Sequence, residues 1–385
     1  MKRGATGHYK TTVAGGERVR AFVPNPLPPR PAVNLDGALQ QRLVAAATAL
    51  GRLDGIASML PNEAIFLYSY VRKEAVLSSQ IEGTQSSLSD LLLSELDVAP
   101  GVPMDDVAEV SNYVAALEHG MARLRGGFPL CTRLIREIHE VLLSSGRGSD
   151  KNPGEFRRAQ NWVGGTAPGN ARFIPPPHRE VPDGMAALEK FLHDPTEPMP
   201  ALLRAGLAHV QFETIHPFLD GNGRVGRMLI TLLLCTSGVL REPLLYLSLY
   251  FKQHRETYYQ LLNHVRQTGD WEAWLAFFLR GVREISDNAF ETATELDRLF
   301  QQDREKISQQ AGRRASSALR IHEALMTRPL LTLPQAHKKA AVTHRTASKA
   351  MEALVQLDIA REVTNRHRNR VFAYRKYLDI LIEGT

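Results

Sequence analysis

Twelve consecutive residues, His216-Pro217-Phe218-Leu219-Asp220-Gly221-Asn222-Gly223-Arg224-Val225-Gly226-Arg227, gather one imidazole, one carboxylate, a Gly-Asn-Gly turn and two arginines. An imidazole takes up a proton near neutral pH. A carboxylate is a hard oxygen ligand for Mg²⁺. Gly221 and Gly223 let the backbone approach an anion closely, and Arg224 and Arg227, one helical turn apart, add fixed positive charge. The order Gly-x-x-x-x-Gly-Lys-Ser/Thr is missing, so this is a different phosphate nest from the P-loop. A Gly-Asn-Gly turn alone is ordinarily only a turn, and a lone histidine is ordinarily structural. The fixed order of all these features is what points to a nucleotide phosphate.

Two helices must hold the stretch. Leu202, Leu203, Leu207 and Val210 precede it at helical spacing, and the apolar run Met228 to Leu234 follows it. The polar turn therefore lies between two buried helices, with its open end at the start of the second. Free backbone N–H groups and the positive end of the helix dipole face outward there.

The stretch resembles the Fic family signature, His-x-Phe-x-Asp/Glu-Gly-Asn-Gly-Arg-x-x-Arg, at every defined position. The resemblance implies a mainly α fold: a Fic-type helical core with a short β-hairpin flap. It also implies adenylylation, with AMP passing from ATP to a Ser, Thr or Tyr hydroxyl of a target protein or of the chain itself. His216 would be the base and Asp220 the ligand of Mg²⁺, with Mn²⁺ also permitted. The backbone of Gly221, Asn222 and Gly223 would form the nest, with Arg224 and Arg227 on the β- and γ-phosphates. Val225 and Gly226 complete the ATP-binding stretch, and Phe218 is expected to anchor the loop in the core. Related sites transfer other phosphate-containing groups or remove AMP, and these stay open. So do a DNA-binding regulator with the core as nucleotide sensor, and a toxin component held off by its own N-terminal helix.

Earlier in the chain, Ser78-Ser79-Gln80-Ile81-Glu82-Gly83 ends a helical pattern. Ser78 and Glu82 share a helical face, and Gly83 suits a helix stop. Taken alone this is an ordinary helix end. Beside the signature it resembles the family's inhibitory helix, Ser/Thr-x-x-x-Glu-Gly/Asn, which implies that Glu82 plugs the site by pairing with Arg227. In the Gly- and Pro-rich loop from Gly146 to Pro182, the Gly-x-x-Arg segment Gly154-Glu155-Phe156-Arg157 followed by a short Pro-flanked strand resembles the family's flap, with Arg172, Phe173, Ile174 and Pro175 as the segment that would dock a target by strand addition. Downstream, Tyr258 and Tyr259 match a paired tyrosine that the family places near the nucleoside.

The last part of the chain is different in charge. Residues 313–385 hold 14 Lys and Arg against 6 Asp and Glu, an excess of 8 within a chain whose net charge is +6. Three helical patterns and two strands there resemble a winged helix-turn-helix. Arg345 and Lys349 on its third helix, with Arg366, Arg368 and Arg370 in the basic turn, suit phosphate contacts with DNA. The same fold also serves protein contacts, and a homodimer stays open. The expected domains are an extended arm over 1–35, a helical segment carrying the inhibitory helix over 36–125, the catalytic core over 126–282, a linker helix over 283–312 and a winged helix over 313–385. At 43% hydrophobic and 23% charged residues the composition is that of a soluble globular protein. No apolar run reaches the ~20 residues of a membrane span. Cys131 and Cys235 offer neither a disulfide framework nor a zinc site, and the basic N-terminus has no apolar stretch behind it, so a cytoplasmic location is expected.

Overall fold

The computed structural model describes residues 3–59, 63–96, 102–196, 198–364 and 370–383. The chain opens with an antiparallel hairpin, β1 (Gly7–Ala14) and β2 (Glu17–Pro24), paired from Gly7↔Pro24 to Ala14↔Glu17. Its two-residue loop, Gly15-Gly16, has φ of 53° and 84°, the doubly positive conformation of a tight hairpin turn. This differs from the extended arm expected over these residues. The apolar signal lies only on β2, where Val19, Ala21 and Phe22 are buried, while β1 is mostly exposed.

Eleven helices follow among the described residues: α1 (Gly37–Met59), α2 (Glu63–Ile81), α3 (Leu88–Ser94), α4 (Met104–Arg125), α5 (Thr132–Leu142), α6 (Val181–His193), α7 (Ala201–Ile215), α8 (Asn222–Thr236), α9 (Ser248–Gln253), α10 (Arg255–Thr268) and α11 (Trp271–Gln310). The centre is the pair α7 and α8. Every residue from Ala205 to Ile215 and from Arg224 to Leu234 is buried, as expected of helices enclosed on all sides. Helices α2, α4 and α5 pack on α8, while α6, α10 and α11 pack on α7. Helix α2 is also gripped by α4 and α9, and α1 runs along α11.

The expected linker over 283–312 is no separate element: it begins inside α11, a continuous helix of 40 residues that runs to Gln310. Its first half buries Trp274, Phe278 and Ile285 in the core. Beyond it lie α12 (Ala315–Thr327), β3 (Leu330–Thr332), α13 (Leu333–Lys339), α14 (His344–Gln356), β4 (Arg361–Glu362), β5 (Val371–Ala373) and α15 (Arg375–Ile382). The strands form an antiparallel sheet in the order β3-β5-β4. The short β3 and the terminal α15 were not legible in the sequence. This unit docks on α11 through a buried bond in which the Tyr374 hydroxyl donates to Asp303 Oδ2 at 2.6 Å. No helix among the described residues is long and apolar enough to cross a membrane.

Candidate active site

Helix α7 stops at His216, which takes a left-handed conformation with φ 49° and ψ 62°. Few residues other than glycine sit there without support from their surroundings. The support is visible. The Arg157 guanidinium donates to the carbonyl of His216 at 2.9 Å, and the Arg157 N–H donates to Pro217 O at 2.9 Å. Phe218 is fully buried and stacks on the His139 ring at 3.7 Å between centroids. Asn222 then closes the loop: its Oδ1 accepts from Phe218 N and its Nδ2 donates to Phe218 O, both at 2.9 Å. The asparagine side chain thus holds the turn's shape and leaves the backbone to face a ligand.

Gly221 caps α8 with φ 77°, so the first N–H groups of α8 open beside it. The Asp220 carboxylate, 36% exposed, accepts from Gly221 N at 2.6 Å. His139 fixes its main chain. Nδ1 of His139 accepts from Gly154 N at 2.9 Å, so Nε2 carries the proton and donates to Asp220 O at 3.0 Å. Burial lowers the His139 pKa to about 4, so this ring is neutral.

Arg224 is 1% exposed and pairs with Glu109 of α4 at 3.2 Å. Its Nε and Nη2 are buried without a hydrogen-bond partner among the described residues, although Nη2 lies 3.6 Å from Asp220 Oδ1. Buried donors of this kind are rare in folded proteins unless a ligand completes them. Arg227 is engaged through two of its three nitrogens. Its Nε donates to Ser78 Oγ at 2.8 Å, and its Nη2 donates to Ser78 O at 3.0 Å and to Glu82 Oε1 at 2.7 Å. Burial works to raise the Glu82 pKa, but Arg227 outweighs it and holds the carboxyl below its ordinary value. A Cβ added to Gly223 would lie 2.3 Å from Glu82 Oε1, so this carboxylate rests directly on the nest.

The His216 residue is partly exposed, but its Nδ1 is buried and has no partner among the described residues. Burial lowers its pKa to about 3, and the neighbouring cations Arg157 and Arg266 add to the effect. It is therefore neutral and able to accept a proton. Glu213, one turn earlier on α7, presses its Oε1 against Gly226, where an added Cβ would lie 2.4 Å away. Burial raises this carboxyl to about 7.

The remaining expected residues are placed less simply. Val225 is buried in the core, and Gly226 O accepts from His209 Nδ1 at 2.9 Å. That leaves His209 Nε2 to accept from the Tyr258 hydroxyl at 2.8 Å, so Tyr258 turns inward and supports α8. Tyr259 is partly buried, its ring 5.0 Å from that of Tyr258. The flap is tied by one bridge, Val163↔Phe173. Phe173 lies under the Arg266 guanidinium at 3.7 Å, Arg172 is exposed and Pro175 is buried. Ile174 does not present a free edge: its carbonyl accepts from Phe22 N of β2 at 2.9 Å. Arg345 and Lys349 are exposed on α14 and Arg370 is partly exposed, while Arg366 and Arg368 lie outside the described residues.

Sequence reasoning missed three residues here, Glu109, His139 and Glu213, and took Arg157 only as the end of the Gly-x-x-Arg segment of the flap. His139 carried a faint signal as the one polar residue in the apolar stripe of Leu134, Ile135, Ile138 and Leu142. Glu109 and Glu213 gave none.

Comparison with known proteins agrees with this geometry. Residues 40–122 match the Fic/DOC family N-terminal model, and residues 129–234 match the Fic/DOC family model. The protein adenylyltransferase Fic of Aedes aegypti is 31% identical over 200 residues, 51% of this chain and 37% of that one. Its counterpart in Drosophila melanogaster is 28% identical over 235 residues, 60% of this chain and 43% of that one. The chain thus spans less than half the length of these curated relatives. Among solved structures, a Fic family protein from Desulfovibrio desulfuricans G20 superposes with a TM-score of 0.56 at 19% identity, covering 89% of this chain and 97% of that one. Fic-1 from C. elegans, residues 134–508, gives a TM-score of 0.52 at 22% identity, covering 69% of this chain and 74% of that one. These two likenesses speak to the fold alone. Signature, site geometry and family models converge on one statement: the chain carries a Fic/DOC family N-terminal segment over 40–122 and a Fic/DOC family domain over 129–234.

Proposed function

We propose that this chain is a protein adenylyltransferase held inactive by its own α2. One observation carries the reading: the Glu82 carboxylate lies on the nest at Gly223 and bonds Arg227. A carboxylate there imitates an anion and blocks the place of a terminal phosphate. With Glu82 gone, ATP would lay its phosphates on the N–H groups of Asn222 and Gly223, the Gly221 N–H being held by the Asp220 carboxylate. The partnerless donors of Arg224 would take the β-phosphate and Arg227 the γ-phosphate.

Neutral His216 would accept the proton of a target hydroxyl. That oxygen would bond to the α-phosphorus while the bond from α-phosphorus to the bridging oxygen breaks, releasing pyrophosphate. The acceleration comes from positioning and fixed charge, with one base for the nucleophile. Asp220, about a third exposed at the mouth of the nest, would hold Mg²⁺ through its carboxylate. The metal supplies charge neutralisation at the phosphates.

Residues 313–385 support a second role. Helices α12 to α14 with the β3-β5-β4 sheet have the element order of a winged helix, and Arg345 and Lys349 stand exposed on α14. Duplex DNA is the partner that such a basic face fits.

The test of the enzyme reading is intact mass of the purified wild-type, Glu82→Gly and Glu82→Gly/His216→Ala proteins after incubation with Mg²⁺ and ATP, with and without cell extract as target. A gain of one AMP, strongest in Glu82→Gly and absent from the double variant, is expected. No nucleotide transfer to any protein under either condition would refute adenylylation.

A further inference from the structure

The His216 backbone conformation and the flap share one support, Arg157. This side chain is 3% exposed and makes no ion pair with a carboxylate among the described residues. A buried cation without a counter-charge is costly to keep. Its donors go to carbonyls instead. On one side they reach His216 O at 2.9 Å and Ile215 O at 3.5 Å, at the negative end of the α7 dipole. On the other they reach Ala159 O at 3.2 Å and Pro176 O at 2.5 Å, the two feet of the flap loop. Its backbone N–H adds a bond to Pro217 O at 2.9 Å.

We propose that Arg157 is the positioning residue that holds His216 and the flap in one frame, so that base and docked hydroxyl meet in register. The inference rests on the transferase reading. Only a planar fork with several donors can serve both sets of carbonyls; a lysine ammonium on its flexible stem reaches one set at most. The same cation also favours a neutral His216. The other charged groups facing that ring are Arg266 from α10, which acts in the same direction, and Glu82 from the end of α2, which opposes it.

The test uses Arg157→Lys and Arg157→Met in the full chain carrying Glu82→Gly. Three quantities are read: the ATP dissociation constant by calorimetry, transfer at saturating ATP, and titration of the ¹³C-labelled His216 ring without nucleotide. ATP affinity should change less than about threefold in both variants, because Arg157 touches none of the nest. Transfer should fall about 100-fold in Arg157→Met and about tenfold or more in Arg157→Lys, the scale of a misplaced base. The His216 ring should begin to protonate about one pH unit higher in Arg157→Met and stay near the parent in Arg157→Lys, which keeps the charge. Full transfer in folded Arg157→Lys overturns the proposal. So does a parallel loss of ATP affinity and transfer, which marks a residue that only supports the fold. An unshifted titration in Arg157→Met also overturns it. If Arg157→Met does not fold, the Lys variant decides through transfer against ATP affinity. Should the Glu82→Gly parent transfer nothing, the enzyme reading fails by itself, and the ring titration still judges the hold on His216.

Discussion

Replacing Glu82 with glycine is the sharpest perturbation of this site. Arg227 has a side chain 2% exposed, and Glu82 has one 31% exposed. Removing one partner of a fully buried pair costs about 3–5 kcal/mol. Glu82 meets solvent on one side, so about 2 kcal/mol is the better figure here. Two opposite effects follow from that number. The ligand-free protein should lose about 2 kcal/mol of stability, because Arg227 is left charged and buried with only Ser78 for company. ATP should bind about 30-fold more tightly, since a plug of that strength leaves the nest open only about 3% of the time. Glu82 follows the last residue of α2, so glycine there adds little helix penalty of its own. Calorimetric titration with Mg²⁺-ATP and with AMP, on both proteins, separates the terms. ATP should gain and AMP should not, because only ATP carries the phosphate that Arg227 would hold. Equal ATP affinity in the two folded proteins, or an equal gain for AMP, would refute the plug.

Other expectations can be checked alongside it. His216→Ala in the Glu82→Gly background should cut transfer about 10²- to 10⁴-fold while ATP affinity stays within about twofold; calorimetry showing lost binding in a folded protein would contradict the division between base and nest. Glu109→Ala strands the buried Arg224 guanidinium and should cost about 3 kcal/mol, seen as an earlier urea midpoint; an unchanged midpoint would show that Asp220 suffices as its counter-charge. Stability should also fall as pH drops from about 6.5 to 4.5. Burial lowers His216 and His209 to about 3 and His139 and His322 to about 4, so the unfolded chain takes up four protons there that the native state refuses. Burial raises Glu74 and Glu213 to about 7, so the native state holds two protons there that the unfolded chain lacks. The net of two gives a slope of about 2.7 kcal/mol per pH unit, and urea midpoints that do not move between those pH values would refute it. Finally, duplex DNA should bind the chain with strong salt dependence, and reversing Arg345 and Lys349 to glutamate should weaken binding at every sequence and flatten the salt slope by about two phosphates; no binding at low salt would remove DNA from the account.

The parts of the site that were legible in the sequence share a property: their chemistry is local. Nest, base, metal ligand and both arginines fall within one turn and the first two turns of α8, so spacing alone brings them together. Glu82 was legible only through the family pattern, because its partner lies 145 residues away. Glu109 and Glu213 are different, and so is the supporting role of Arg157, which was legible only as part of the Gly-x-x-Arg segment. Each is one charged residue in a segment that reads as an ordinary helix or loop, and each acquires meaning only when packing buries it against carbonyls or arginines from elsewhere. The hairpin of β1 and β2 escaped notice for a related reason. Its strand signal is carried by a few residues of β2, and its pairing with the flap at Ile174 is a backbone contact that no side-chain pattern announces.

The placement of α2 explains why the inhibitor must be probed by a point change and not by truncation. Along this one helix, Ser69 shares a buried hydrogen bond of 2.8 Å with the Tyr377 hydroxyl of α15. One turn on, Glu74 accepts from Ser248 N at 3.1 Å and from the Tyr113 hydroxyl at 3.2 Å, joining α9 and α4. One further turn on, Ser78 holds Arg227, and Glu82 completes the grip just past the helix end. The helix is therefore a wall of the core and a dock for the C-terminal unit as well as the carrier of the plug. Deleting it would expose α8 and strand the partners of Glu74 and Ser69, so lost activity after truncation would report unfolding. Glu82→Gly removes the carboxylate at the nest and leaves every one of the other contacts in place.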